Sequence, residues 1–193
     1  MADLILEPTS TAQWQTLVRE ASANTSRRLN EELESYLVFL LARGCGQTDL
    51  LQRVVALEYL RGLDSTGAAR KERLREVGDH CLLFAGLFPH LARKRLISIS
   101  YFVQLGGSAY RLLAQTLSHT AARLYCDLSS TFVMLVDILH RMREQQGAPC
   151  LSAIEAMDLW QETGSEHALV TLRNYAGSRA IVTSMRDDAT RYH

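Results

Sequence analysis

The chain has 193 residues, of which 47% are hydrophobic and 22% are charged, so its composition is that of a soluble globular protein and excludes a largely disordered chain. Basic and acidic side chains both total 21, so the formal net charge is zero and no overall field draws the molecule to nucleic acid or an anionic membrane. The apolar runs 36–42 and 81–88 are shorter than the ~20 residues that cross a bilayer, and residues 1–14 lack the pattern of a secretory signal. The sequence therefore predicts a cytoplasmic protein without membrane contact, and it disfavours nucleic acid as a partner.

Apolar residues recur at helical spacing along almost the whole chain, beginning near the N-terminus. Residues 10–13 have the spacing of a capping box, so the first helix is predicted over residues 10–22. Asn30 is suited to cap a second helix, which ends at Gly44. The polar pair 48–49 then opens a third helix.

The middle of the chain contains three more predicted helices. The fourth ends at Pro89, because proline interrupts the helical hydrogen-bond pattern. Ser98 or Ser100 starts the next, and the longest helix extends from about Thr120 to Gln145. Only a short connecting segment is predicted between Pro89 and the helix that follows it.

Two further helices are predicted towards the C-terminus. Residues 152–155 form a second capping box, followed by a helix through Trp160. Ser165 caps a last helix, which reaches about Ala176. The helical pattern then fades, and residues 178–193 are predicted to form a loosely ordered tail.

Taken together, the pattern predicts an all-α fold, with residues 1–177 as a single domain of seven to nine helices. A helical bundle and an orthogonal helix array both fit this pattern. The sequence has no nucleophile elbow, P-loop or dinucleotide fingerprint, motifs that also require strands. We therefore expect no catalytic residue and no cofactor.

Glycine occurs four times inside two apolar helices, at Gly78, Gly86, Gly106 and Gly107. A glycine inside a helix costs ~1 kcal/mol relative to alanine, and it usually allows another backbone to come close. We therefore predict that the two helices cross at short distance. The crossing is expected to bring six side chains together as one candidate ligand site: Asp79, His80, Tyr101, Ser108, Tyr110 and Arg111.

Asp79 lies in an otherwise apolar helical face, so its carboxylate needs a hydrogen-bonding or charged partner. One interpretation is structural, a buried bond that holds the crossing together. The other is a pocket in which Asp79 and a tyrosine orient a small polar ligand between aromatic walls. Those walls would come from Phe84, Phe88 and Phe102. The sequence favours the structural interpretation.

Two motifs in this region carry a resemblance to known proteins. The pattern G-D-x6-G-L-F-P spans Gly78–Pro89, and Y-x4-G-x2-A-Y spans Tyr101–Tyr110. Together they resemble a group of uncharacterised bacterial all-α proteins. The resemblance implies a bacterial, soluble, all-helical protein, and it transfers neither an activity nor a catalytic residue.

The histidines give little support to a metal or haem site. Asp137 and His140 have the i, i+3 spacing found in carboxylate-bridged metal bundles, but such sites need a second element of this kind and further carboxylates. We predict instead that His140 lies in an exposed last turn, where charge complements the helix dipole. No metal ligand is assigned.

The four cysteines are widely spaced and include no C-x-x-C pair, and three of them lie in or beside apolar helical pattern, where buried free thiols are the expected state. Cys81 follows His80, but adjacent helix residues point about 100° apart and cannot form a nucleophilic pair. Cys45 lies between two glycines, so it is predicted to be exposed in a loop.

The densest basic cluster is Arg93, Lys94 and Arg95 in the segment after Pro89. It is a candidate contact for an acidic partner surface. A solvated surface explains it better, because the chain is neutral overall and no recognition helix stands out.

Three functions from different classes follow from these observations. The first is a non-enzymatic regulatory or interaction protein, expected to be a homodimer and to recognise a protein partner. The second is a small-molecule-binding helical protein with a pocket around Asp79, Tyr101 and Tyr110. The third is a metal or haem protein. We favour the first, because the apolar excess and the long helix suit packing and self-association.

Overall fold

A computed structural model describes residues 10–23, 25, 29–44, 55–94, 97–145 and 151–177, with only the backbone of residues 10, 93 and 94. These residues form ten α-helices and contain no strand, which confirms the all-α class. The helices in chain order are α1 (Ser10–Ala23), α2 (Glu31–Gly44), α3 (Val55–Asp64), α4 (Gly67–Leu87), α5 (Pro89–Lys94), α6 (Ile99–Gln115), α7 (His119–Ser130), α8 (Phe132–Gln145), α9 (Ala153–Thr163) and α10 (166–177). The predicted opening of the third helix and the tail 178–193 lie outside the described residues.

The helix count exceeds the predicted seven to nine for two reasons. The longest predicted helix is two helices, α7 and α8, because Thr131 between them has φ −103° and ψ 10°. The hydroxyls of Ser130 and Thr131 both donate to the Asp127 carbonyl, and such local bonds favour an interruption of the helix. The segment after Pro89 is also helical, as α5, rather than only a connection.

The predicted helix starts are confirmed where they can be described. Asn30 accepts a backbone N–H at the start of α2, at 2.8 Å. Ser98 accepts one at the start of α6, at 3.2 Å. Ser152 and Glu155 form the complete capping box of α9. Ser165 accepts from the backbone of α10 at 3.0 Å, and each of these bonds satisfies an N–H that has no partner within its helix.

Helix α4 lies at the centre of the fold, where it contacts α2, α3, α5, α6 and α8. Every residue from 77 to 86 is buried, so this half of the helix is enclosed on all sides. The first half of α4 is polar and reaches the surface. A buried segment that includes Asp79 and His80 therefore passes through the core.

Close approach at glycine shapes the packing of α4 against α6. A Cβ at Gly106 of α6 would lie 2.7 Å from the Cβ of Cys81 on α4, so only glycine allows this contact. Gly86 lies instead against Leu139 of α8, and Gly107 has only ordinary contacts, with Ser129 and Phe132. The prediction that α4 and α6 approach each other closely at all four glycines is therefore wrong for Gly86 and Gly107.

Within the described ranges, no helix combines the length and the apolar character that crossing a bilayer requires.

Candidate functional site

Asp79 binds three side chains from two other helices. Its Oδ1 accepts the hydroxyl of Tyr36 at 2.5 Å and that of Tyr110 at 2.7 Å. Its Oδ2 accepts a guanidinium N–H of Arg43 at 2.6 Å. The carboxylate therefore links α4 to α2 and α6, as the structural interpretation of Asp79 requires.

The sequence of α4 makes room for this network. A Cβ at Gly78 would lie 2.2 Å from Cε1 of Tyr110, so glycine at this position lets the ring lie directly against the helix. Tyr110 is fully buried. Asp79, the next residue, accepts a hydrogen bond from the hydroxyl of the same tyrosine. The adjacent residues Gly78 and Asp79 therefore position both the ring and the hydroxyl of Tyr110.

The two tyrosine rings that bind the carboxylate pack against each other and against a third, Tyr125. The ring centroids of Tyr36 and Tyr110 are 6.2 Å apart, and those of Tyr110 and Tyr125 are 5.6 Å apart. Tyr36 packs edge-on against Tyr125 at 5.9 Å. These separations are typical of favourable aromatic pairs.

Burial and charge decide the protonation of this cluster. Burial raises the pKa of the Asp79 carboxyl, while the two tyrosine hydroxyls and Arg43 oppose that rise. Burial, and then the charge of Asp79, raise the pKa of the Tyr110 and Tyr36 phenols well above the usual value. The tyrosines therefore remain protonated donors, and Asp79 is an anchor for them.

An open cleft lies beside this cluster, between α2 and the first half of α4. We call it the α2–α4 cleft; its volume is about 510 Å³. Its lining consists of Tyr36, Phe39, Leu40, Ala42, Arg43 and Arg75. Phe39 is 67% exposed, although it is a large apolar side chain. The cleft thus combines an exposed aromatic ring with two guanidinium groups.

Both arginines of the cleft are held by carboxylates. Arg43 is 54% exposed and binds Asp79 from the cleft side. Arg75 donates to Glu72 at 2.5 Å, one helical turn away. A guanidinium has five N–H donors, so each arginine retains donors for a further acceptor. The pairs orient the arginines and leave them able to bind a planar anion such as a carboxylate.

Only part of the predicted site forms in one place. Asp79 and Tyr110 meet, as described above. Tyr101 is 40% exposed and packs on Phe102, and Arg111 is exposed. Ser108 is half-buried, in α6 like these two. The structure shows no Asp79 contact with Tyr101, Ser108 or Arg111.

Of the remaining predicted side chains, His80, Phe84 and Phe102 are buried in the core, whereas Phe88 is half-buried. His80 stacks on Phe84, with 6.1 Å between the ring centroids. Phe84 also packs on Phe102 at 4.6 Å, and both are buried. Phe88 follows the last residue of α4 and packs on His90. The buried rings of His80, Phe84 and Phe102 fill space between helices and do not form the walls of a pocket over Asp79.

Tyr36 and Arg43 are site residues that sequence analysis missed. They are seven residues apart on α2, so they lie on the same face of that helix two turns apart. This spacing is a signal that could have been found. Their distance from Asp79 along the chain left no local indication that they share a partner.

A second buried polar cluster lies where α8 meets α10. Asp137 accepts the hydroxyl of Ser165 at 2.6 Å and the backbone N–H groups of Glu166 and His167. It thereby supplies acceptors to the first turn of α10. Burial raises the pKa of this carboxyl, and the bonds to Ser165 and His167 oppose the rise.

The prediction that His140 lies in an exposed turn is wrong. Its side chain is fully buried, and its Nε2 lies 2.9 Å from the carbonyl oxygen of Ala85 on α4. Its Nδ1 has no hydrogen-bond partner among the described residues. Burial, and then the neighbouring His167, lower the pKa of His140 to about 3. The arginines that follow His140 suggested exposure, but His140 itself faces α4.

Among the described residues, no three His, Cys, Asp or Glu side chains are placed to hold one metal ion. Cys81 is buried as predicted, and burial raises the pKa of its thiol. Cys126 is exposed, contrary to the prediction, because it lies on the outer face of α7. Cys45, Cys150 and the side chains of the basic cluster Arg93, Lys94 and Arg95 lie outside the described part of the chain.

Comparison of the chain with protein-family models, with curated protein sequences and with solved structures finds no match in any of the three.

Proposed function

We propose that the protein is a non-enzymatic interaction protein that binds a segment of a partner protein in the α2–α4 cleft. The observation that carries this proposal is the exposed ring of Phe39 beside two arginines. Residues 39 and 43 are four apart on α2, so their side chains are neighbours on one face. Aromatic side chains and arginine are enriched in the buried core of protein interfaces, and tyrosine and arginine also among the residues that contribute most of the binding energy.

The chemistry of the cleft indicates what the partner segment contains. Phe39 and Leu40 favour an apolar side chain, and the guanidinium groups of Arg43 and Arg75 favour a carboxylate beside it. The partner segment is therefore acidic and apolar. A symmetric homodimer would use another face, because a twofold contact through this cleft would bring the arginines of both copies together.

In this proposal Asp79 has a structural role, because it fixes the positions of Tyr36 and Arg43, which line the cleft. Its carboxylate is buried and accepts from Tyr36, Tyr110 and Arg43. The Asp79 carboxylate orients Arg43 before a partner binds, which lowers the free-energy cost of ordering that side chain on binding. The second candidate is a small carboxylate with an apolar body in the same cleft, since its volume of about 510 Å³ suits such ligands.

The test begins with selection of displayed twelve-residue peptides on the immobilised protein. We expect enriched peptides to combine Asp or Glu with an aromatic or aliphatic residue, and Phe39→Ala to weaken the best peptide by about tenfold or more. Arg75→Ala should weaken it as well. The matched control is Leu60→Ala, because Leu60 is 54% exposed on α3 and does not line the cleft.

Two outcomes separate the candidates. Failure to enrich any peptide, together with saturable binding of benzoate that Phe39→Ala abolishes, would favour the small-ligand candidate. If Leu60→Ala weakened the peptide as much as Phe39→Ala does, the cleft would not be the binding surface.

A further inference from the structure

Residues 1–9 precede the described part of the chain, and their sequence matches the chemistry of the α2–α4 cleft. They read MADLILEPT, with three aliphatic residues at 4–6 between the carboxylates of Asp3 and Glu7, and they contain no basic side chain. The cleft presents the exposed ring of Phe39 beside two guanidinium groups. Residues 1–9 are therefore the acidic and apolar kind of segment that this lining favours.

Both arginines of the cleft can bind a further carboxylate. Arg43 donates an N–H to Asp79, and Arg75 donates one to Glu72. Each guanidinium has five N–H donors, so neither is saturated by its present partner. Arg43 is also 54% exposed, which leaves the rest of its guanidinium accessible from the cleft.

Helix α1 places residues 1–9 at the end of α2 that carries the cleft. Seven residues join α1 to α2, and helices joined by a short loop pack antiparallel. Glu34 of α2 accepts from Gln15 at 3.2 Å and from Arg19 at 2.7 Å, so residues 15–19 lie level with residue 34. Ser10 lies five to nine residues before this part of α1. In an antiparallel pair it is therefore level with residues 39–43 of α2.

The segment is long enough to pass from α1 to the cleft. Glu34 and Arg43 are nine residues apart, which at about 100° per residue places them on opposite sides of α2. The path round half of a helix about 10–12 Å wide is about 16–19 Å. An extended chain covers about 3.3 Å per residue, so Leu4 lies up to ~20 Å from Ser10 and Asp3 up to ~23 Å. Both residues can therefore reach the cleft.

The order of the side chains along the segment also fits. Phe39 is exposed and lies between Glu34 and Arg43 round the axis of α2, so a segment that comes from α1 meets Phe39 before Arg43. From Ser10 towards the N-terminus, the aliphatic residues 4–6 come before Asp3. The aliphatic side chains are thus level with the aromatic ring when the carboxylate of Asp3 reaches the guanidinium groups.

We infer that residues 1–9 pass over α2 and occupy the α2–α4 cleft of their own chain, with residues 4–6 on Phe39 and Asp3 at Arg43 and Arg75. This inference rests on the proposed function, because it assigns an occupant to the same cleft. The segment competes with a partner for the cleft, so the contact is autoinhibitory. A short flexible tether gives an effective concentration of about 1 mM, so a segment with an intrinsic dissociation constant of about 0.1 mM weakens a competitor about tenfold.

The test uses a synthetic peptide of residues 1–9 as the competitor, titrated into the ¹⁵N-labelled full chain and followed by amide NMR. We expect it to shift the amides of residues 39–43 saturably. In the full-chain variant Asp3→Asn the tethered segment loses a charged hydrogen bond and competes less, so the peptide should bind about fivefold more tightly than to the parent protein. Glu7→Gln is the matched control, because it removes the same charge closer to α1, and it should change the affinity less than twofold.

Variants of the cleft identify the surface that the peptide occupies. In the Asp3→Asn background, Phe39→Ala should weaken the peptide at least tenfold, whereas Leu60→Ala on α3 should leave its affinity unchanged. The inference is overturned if the peptide does not shift residues 39–43, or if it binds the parent and Asp3→Asn equally. Equal effects of Asp3→Asn and Glu7→Gln would also overturn it. So would a parent affinity that changes with protein concentration, because the segment would then occupy the cleft of a second copy.

The same measurements separate this inference from the proposed function. Selected peptides that need Phe39 but bind the parent and Asp3→Asn equally would support the proposed function and overturn the inference. Competition by the peptide of residues 1–9 as described, together with failure to enrich any displayed peptide, would support the inference and contradict the proposed partner.

Discussion

The neighbouring glycines of α6 should respond oppositely to the same substitution. A Cβ at Gly106 would lie 2.4 Å from Cζ of Phe132 and 2.7 Å from Cβ of Cys81. At Gly107 the nearest atom is 3.8 Å away, which is an ordinary contact distance. Both residues lie in the interior of one helix, so the gain in helix propensity is the same for both.

The expected magnitudes follow from two opposing effects. Alanine is favoured over glycine in a helix interior by ~1 kcal/mol, so Gly107→Ala should stabilise the protein by up to about 1 kcal/mol. At Gly106 the same gain is opposed by overpacking, which costs about 3 kcal/mol at its upper range. Cys81 and Phe132 are buried, so neither can move into solvent. Gly106→Ala should therefore destabilise the protein by about 2 kcal/mol.

Urea unfolding followed by circular dichroism measures both variants against the parent protein. The denaturant slope should stay constant, so that a change in midpoint reports a change in the free energy of unfolding. If Gly106→Ala is as stable as Gly107→Ala, the close approach of α4 and α6 at this point is wrong. Gly106 would then not determine how closely the two helices pack.

Three further predictions concern Tyr110, His140 and the two cysteines that the structure describes. Tyr110→Phe removes a donor to a buried carboxylate and should lower the free energy of unfolding by about 2 kcal/mol, whereas Tyr101→Phe should change it little; urea unfolding compares them. His140 stays neutral down to about pH 3 in the folded protein, whereas in the unfolded chain it titrates near 6.5. The unfolded state therefore binds the extra proton, and stability should fall as the pH drops below about 6.5, by up to ~1.4 kcal/mol per unit. Unfolding measured across this pH range should show a shallower slope for His140→Gln; an identical slope would contradict the assignment. Iodoacetamide should label Cys126 in the folded protein and Cys81 only after unfolding, as peptide mass mapping would show.

Much of the fold could be predicted from short-range signals. Asn30, Ser98, Ser152 and Ser165 mark helix starts because a cap bonds to a backbone group only two or three residues away. The break at Thr131 escaped prediction, since the apolar spacing continues across it. Its signal was the run of three hydroxyl residues at 129–131, which compete for backbone carbonyls.

The candidate site was predicted less well. Asp79 and Tyr110 were expected to meet, and they do, because the glycine between the helices leaves room for the ring. Tyr36 and Arg43 were missed, although they supply the other two bonds to the carboxylate. His140 was expected to be exposed from its charged neighbours, but Val136 one turn earlier is the better guide to its buried face.

The sequence by itself determined that this chain is helical and where most of its helices begin. Those features depend on hydrogen bonds and side-chain spacings within a few residues. The tertiary structure alone decided which helix faces meet, and hence that Asp79 is enclosed by groups from α2 and α6. Such contacts join residues that are far apart in the chain, and their geometry depends on how the surfaces of whole helices fit together.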